Sequence, residues 1–175
     1  MTDYPTRKHP RLKGYDYGQN GAYFITFCTD KRQCILSEIA VGRGLAPAVR
    51  LLSAGRIVAE ELDALLVRFP GLAIEQSVIM PNHIHLLLRL TAAGASPRPT
   101  PCEEAYTAVD VVRVLKSLTT RRWNAARGRV GERLWQSSFH DHVIRDENDF
   151  LSRWSYIEGN PARWAEDEYY TVKGT

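Results

Sequence analysis

The stretch Val78 to Leu90, VIMPNHIHLLLRL, limits what this chain can fold into more than any other. Side chains of a β-strand alternate between two faces. From residue 83, one face carries His83, His85, Leu87 and Arg89, and the other carries Ile84, Leu86, Leu88 and Leu90. The second set is wholly apolar and belongs against a core. The first set brings two imidazoles, about 7 Å apart along the backbone, to one surface. Such a pair can share a metal ion, or it can be two hydrogen-bonded histidines at a strand start. Pro81 and Asn82, just before it, interrupt or turn the chain.

The flanking segments have their own periods. Ala22 to Asp30, AYFITFCTD, is rich in aromatic and β-branched residues and is a strand. VGRGLAP is a loop, and a helix is expected from Pro47, with Leu51, Gly55, Val58, Leu62, Leu65 and Phe69 on one stripe. Pro70-Gly71 stops it, and Ala73 to Met80 is the next strand before His83 to Leu90. TAAGASPRPTPCEE is a loop. A long helix from about Ala105 to Ala126 then places Val109, Val112, Leu115 and Trp123 near one face. SSFHDHVIRD supplies a fourth strand. Asp146 caps a last helix, with Asp149 at the capping-box position and Pro161 ending it. The order β-α-β-β-α-β plus a helix implies an α+β, ferredoxin-like (RRM-like) split fold. It has a four-stranded antiparallel sheet, helices on one face, and the other face open for a site. The expected organisation is a basic arm over 1–20, a single domain over 21–165 and an acidic tail over 166–175.

Charge is unevenly spread. Residues 105–145 hold eight Lys/Arg against three Asp/Glu, and residues 146–175 hold three against seven. The chain uses 18 Arg and 5 Lys, which suits bidentate phosphate contacts as well as it suits a codon bias. Arg7, Lys8, Arg11 and Lys13 lie among tyrosines in the arm, and Lys116, Arg121 and Arg122 lie on the long helix. Basic residues interleaved with aromatics fit a single nucleic-acid strand. No apolar run reaches the roughly 20 residues of a membrane helix, no apolar segment follows the basic N-terminus, and Cys28, Cys34 and Cys102 form no CxxC pair. A chain with reduced thiols in the cytoplasm, away from membranes, is the expectation.

On the last helix, Phe150, Trp154 and Ile157 form the apolar stripe, with Leu151 at its edge. Asp149, Arg153, Tyr156 and Asn160 lie on a different face, and Tyr156 and Asn160, one turn apart, point the same way. A phenol and an amide presented together can meet the histidine face, or the tyrosine can simply be half-exposed. His140 and His142 form a second H-x-H. His142 is a possible accessory group, to position water or phosphate, or a surface residue.

MPNHIHLLL, LKSLTTRRWN, LWQSSFHDHVIRDENDFLSRWSYIEGNPARW and RLKGYDYGQNGAYFITFCT, in this order apart from the last, which comes first, resemble the REP-associated tyrosine transposases. These are relatives of the single-tyrosine insertion-sequence transposases in the HUH nuclease superfamily. The resemblance runs from about Pro5 to Trp164. It implies that His83 and His85 are metal ligands, that Tyr156 in YIEGNP is the nucleophile, and that Asn160 is the third protein ligand. It also implies Mg²⁺ or Mn²⁺ and a DNA hairpin from a repetitive palindrome with a single-stranded guide at its foot. Residues 39–49 and 91–101 match no motif of that family. The reaction implied is nicking and joining of single-stranded DNA through a 5′-phosphotyrosyl link, with monomer or homodimer left open. Two other readings compete: a zinc hydrolase using His83, His85, His140 and His142, and a non-catalytic hairpin-binding module.

Overall fold

A computed structural model describes residues 21–40, 47–91 and 106–171. The elements are β1 (Gly21–Cys28), β2 (Ser37–Ala40), β3 (Ala48–Leu51), α1 (Ser53–Arg68), β4 (Leu72–Ile79), β5 (His83–Leu90), α2 (Ala108–Ala126), β6 (His140–Val143) and α3 (Glu147–Gly159). A 3₁₀ turn over Pro161–Glu166 follows α3. The main sheet is antiparallel, in the order β4-β5-β1-β6. Arg7, Lys8, Arg11, Lys13 and Cys102 lie outside the described residues.

The period-2 reading of β5 holds residue by residue. Ile84, Leu86, Leu88 and Leu90 enter the main core with Tyr23, Ile25 and Phe27 of β1. Val58, Leu62 and Leu65 of α1 and Val109, Val112, Leu115 and Trp123 of α2 close that core from one side. Thr107 caps α2 by accepting from the Asp110 amide, and the Asp110 carboxylate returns a bond to the Thr107 amide. On the opposite face, Phe24 and Leu87 meet Ile157 of α3, with Phe150, Trp154 and Tyr156 packed around them. The α3 start is as expected, with Asp146 accepting from the Asp149 amide.

Three expectations need correction. The helix does not begin at Pro47: α1 starts at Ser53, and Ala48–Leu51 pairs antiparallel with Ser37–Ala40 as a separate two-stranded ribbon. Its alternating half-exposed pattern is the signature of a strand; Leu51 still reaches the main core, but from the ribbon. The sheet's second face is not open, because α3 and the chain after it cover it. The acidic segment does not trail away: Tyr169 is buried, and its carbonyl accepts from Asn82 at 2.8 Å.

Gly55 shows how closely ribbon and helix approach. A Cβ there would lie 2.0 Å from the Leu36 carbonyl oxygen, a backbone atom that already accepts from the Leu52 amide. Gly55→Ala should therefore destabilise the fold despite alanine's better helix propensity, by roughly 2–4 kcal/mol. Urea unfolding of the two proteins checks this, and equal or greater stability of the variant would show that the contact is not enforced.

Candidate functional site

At the start of β5 the chain builds a buried polar cluster. His83 and His85 are 0% and 1% exposed, and their Nε2 atoms are 3.0 Å apart. The tight turn explains this placement: the Met80 amide donates to the His83 carbonyl, so Pro81 and Asn82 form the bend and His83 starts the strand facing away from the core. The Phe24 ring lies 5.3 Å from His85 in a stacked arrangement. Tyr169 lies 4.6 Å from His83.

Asn82 fixes how the imidazoles present their lone pairs. Its Nδ2 donates to the Tyr169 carbonyl at 2.8 Å and the Arg32 carbonyl at 3.2 Å. Oδ1 is therefore the atom that faces His83 Nδ1, 2.9 Å away, and it accepts a proton from that nitrogen. His83 Nε2 is left with a free pair. The 3.0 Å contact then requires His85 Nε2 to donate, and the Thr26 hydroxyl donates to His85 Nδ1 at 2.7 Å. Reversing the Thr26 hydroxyl moves the His85 proton to Nδ1 and frees both Nε2 atoms together. A second shell of this kind orients imidazole ligands.

Burial keeps both rings neutral. It pushes His83 down from 6.5 to about 3, with the Arg32 charge assisting. It also holds His85 well below its usual value, helped by His83 and opposed by Asp167.

Asp167 completes the cluster, and sequence reasoning missed it. One of its carboxylate oxygens lies with the two imidazoles, all ligand atoms within 4.8 Å of one another. Its side chain is 3% exposed and sits 4.0 Å from His83 Nε2. It accepts from Asn160 Nδ2 at 2.9 Å and from the Tyr169 amide at 2.7 Å. No Lys or Arg among the described residues pairs with it. A carboxylate shielded from water beside two neutral imidazoles is well placed to hold a cation. Asn160, 3% exposed, leaves its Oδ1 buried without a partner beside that carboxylate. These donors fit a divalent ion: two imidazole nitrogens, a carboxylate and an orphaned amide oxygen. The only sign of Asp167 in the sequence was an acid beside Tyr169-Tyr170, and no periodicity placed it.

Tyr156 reaches the same cluster. Its ring makes edge contacts with His85 at 5.1 Å and with Phe24 at 5.9 Å. It therefore packs on the sheet, against the expectation that it lies off the packing side; the stripe of α3 is wider than Phe150, Trp154 and Ile157. Burial raises its pKa, and Asp167 and Glu168 raise it further, while Arg163 and a hydrogen bond with Asn160 oppose them. Burial and the two carboxylates thus favour the neutral phenol over the phenolate.

The other candidates part company. His142 is on the site face, opposite Phe24 in register, and hydrogen-bonds Asp149 at 2.7 Å. Asp149 also accepts from the Arg145 amide and Arg153. Burial works against its ionisation, but the His142 and Arg145 bonds win and its pKa falls. His140 is exposed on the edge strand, and neither it nor His142 joins the His83–His85–Asp167 cluster. The four histidines of the zinc reading therefore do not share one centre. Lys116 is occupied: its ammonium donates to the carbonyls of Gln136, Ser137 and Ser138. Arg122 bridges α2 to Glu60 and Glu61 of α1. Arg121 is exposed.

The neutral imidazoles set an acid limit. Below about 6.5 the unfolded chain's histidine at position 83 takes up a proton, whereas the folded one stays neutral until about pH 3. The unfolded state binds more protons in that window, so stability is full above it and falls as pH drops through it, by at most about 1.4 kcal/mol per pH unit for one histidine. Urea unfolding in EDTA at several pH values should show a shallower fall for His83→Gln than for the unaltered chain. Parallel pH profiles would contradict the burial of a neutral ring.

Comparison with known proteins supports the same direction. No protein-family profile matches the chain. It is 28% identical to an uncharacterized Haemophilus influenzae protein over 174 residues, covering 94% of this chain and 93% of the other. It is 33% identical over 86 residues to a second protein of that organism described as "Putative REP-associated tyrosine transposase", covering 49% of this chain and 47% of that one. Its fold matches that of a REP-associated tyrosine transposase solved bound to a REP hairpin. The TM-score is 0.55 at 18% identity, over 100% of this chain and 92% of the other. The chain thus resembles REP-associated tyrosine transposases in sequence over half its length and in fold throughout. Among the described residues no helix is long and apolar enough to cross a membrane.

Proposed function

We propose that the chain is a metal-dependent, transposase-like enzyme that nicks and rejoins single-stranded DNA beside a hairpin, with Tyr156 as nucleophile. The observation that carries this reading is the convergence of the Tyr156 ring on His85, 5.1 Å away, beside the His83–His85–Asp167 cluster. His83, His85 and Asp167 would hold the ion, with Asn160 offering its unpartnered oxygen. Asp167 adds one negative charge to the two imidazoles and the amide. A divalent ion still stays net positive there. When bound, Mg²⁺ or Mn²⁺ supplies Lewis-acid polarisation of a phosphate and a positive field that favours phenolate.

The chain's own groups do the rest. Asn160, one turn after Tyr156, donates to Asp167 and stands beside the phenol. The rings of Phe24 and His85 fix its plane and exclude water from one side. Tyr156 oxygen attacks phosphorus, the bond from phosphorus to the 3′-oxygen breaks, and that oxygen leaves with the electron pair and takes up a proton. The phenol's proton goes to water or to His142, whose ring Asp149 holds on the same face. The products are a 5′-phosphotyrosyl link and a free 3′-hydroxyl. A 3′-hydroxyl attacking the link reverses the exchange without ATP, because the bond energy is kept.

Labelled single-stranded DNA carrying a palindromic repeat and its flank tests the reading. With Mn²⁺ the expected product is a protein–DNA band that survives SDS, absent with EDTA and absent for Tyr156→Phe. Hairpin binding that ignores EDTA and gives no such band would favour a non-catalytic module. Cleavage that persists in Tyr156→Phe would favour a hydrolase that uses water.

A further inference from the structure

The stretch YIEGNPAR, which begins at the candidate nucleophile, holds two residues to which the proposed reaction gives no role, Gly159 and Arg163. Gly159 is the last residue of α3, three after Tyr156. Its backbone is helical, so its conformation does not call for glycine, and alanine is the better helix former. The space beside it explains the choice. A Cβ at Gly159 would lie 3.1 Å from an Nη of Arg163 and 3.8 Å from its Cζ and Nε. The guanidinium is thus seated against the last turn of α3, where a side chain would otherwise stand. We infer that Arg163 is a further catalytic residue of the proposed reaction: from its seat on Gly159 the guanidinium donates to a non-bridging oxygen of the phosphate that Tyr156 attacks. The inference rests on the proposed function and adds a residue to it.

The turn after α3 sets the seat. Pro161 follows Asn160, and the Arg163 amide donates to the Asn160 carbonyl at 3.1 Å, which folds the chain back on the helix end. The next residue, Trp164, lies 5.9 Å from the His83 ring, so the turn that carries the arginine runs over the candidate site. Three other arginines near this face are engaged. Arg32 donates to the Glu168 carbonyl and lies over the Tyr169 ring, Arg89 pairs with Glu75, and Arg153 pairs with Asp149. Arg163 is exposed, and among the described residues its side chain has neither an ion pair nor a hydrogen bond. Its charge nonetheless reaches the Tyr156 phenol, where it opposes Asp167 and Glu168. An available guanidinium within electrostatic reach of the attacking oxygen is placed to meet the phosphate there.

The chemistry gives that contact a purpose. As the bond from the Tyr156 oxygen to phosphorus forms and the bond to the 3′-oxygen breaks, negative charge spreads over the non-bridging oxygens. A guanidinium offers parallel N–H donors that match two such oxygens, and it gives up no proton, so the proton balance of the step is unchanged. Donors aimed at developing charge lower the barrier more than they tighten binding of the substrate. The seat matters because a long side chain loses rotamer freedom when it is held. Contact with the bare backbone of Gly159 restrains the guanidinium before the phosphate arrives.

The test is the single-turnover rate at which the SDS-resistant protein–DNA product forms, with Mn²⁺ and the labelled DNA both saturating. Arg163→Ala should slow it roughly hundredfold, with urea unfolding and DNA affinity in EDTA close to those of the unaltered chain. Millimolar guanidinium ion should restore part of the rate in Arg163→Ala and add nothing to the unaltered chain. Gly159→Ala displaces the guanidinium by a few tenths of an ångström. It should slow the reaction several-fold without loss of stability, and it should cost nothing further in the Arg163→Ala background. Full rate in Arg163→Ala overturns the inference while leaving the proposed reaction standing. So does a loss that guanidinium ion fails to restore, which marks a structural role, and so do additive losses, which separate Gly159 from the arginine. If the unaltered chain forms no covalent product, the proposed reaction falls and this inference falls with it.

Discussion

Everything at the candidate site depends on the burial of two neutral imidazoles against the Asp167 carboxylate, with which no Lys or Arg among the described residues pairs. Taking Asp167 out of water is costly, and hydrogen bonds from Asn160 and the Tyr169 amide recover only part of that cost. A divalent ion held by His83, His85 and Asp167 would offset that charge. It would also give Asn160 Oδ1 a partner and favour ionisation of Tyr156, which burial and then Asp167 and Glu168 oppose. One buried polar cluster thus links the candidate ligands, the candidate nucleophile and the C-terminal segment.

Rigidity around that cluster comes from ordinary packing. Asn82 is bonded to the carbonyl of Arg32 in the turn after β1, to the Tyr169 carbonyl and to His83, and its own carbonyl accepts from Thr29, so these segments lock one another. The apolar patch of Phe24, Leu87 and Ile157 clamps α3 on the sheet and sets the height of Tyr156 above His85. The larger core on the other face carries the stability, which leaves this small face free to be polar.

Legibility in the sequence followed the range of the forces involved. The faces of β5 were readable because alternation is local, and so were the α2 stripe and the Asp146 cap. The ribbon of Ser37–Ala40 and Ala48–Leu51 was not, since four-residue strands are too short for a period to emerge, and Leu51 continued a helical stripe by chance. His83, His85, Tyr156 and Asn160 were named together and do meet. Asp167 was invisible because a turn after Pro161, set by tertiary contacts, carries it inward. Lys116 and Arg122 looked like ligands for DNA because a basic residue shows its charge in the sequence and its partners only in the fold.

The central claim is that paired imidazoles and Asp167 grip one ion beside Tyr156. Pulsed electron paramagnetic resonance of bound Mn²⁺ tests it most directly. The account predicts coupling to two imidazole nitrogens, with one lost in His83→Gln and the ion bound less tightly in Asp167→Asn. Coupling to no histidine nitrogen, or a spectrum unchanged in His83→Gln, would contradict it.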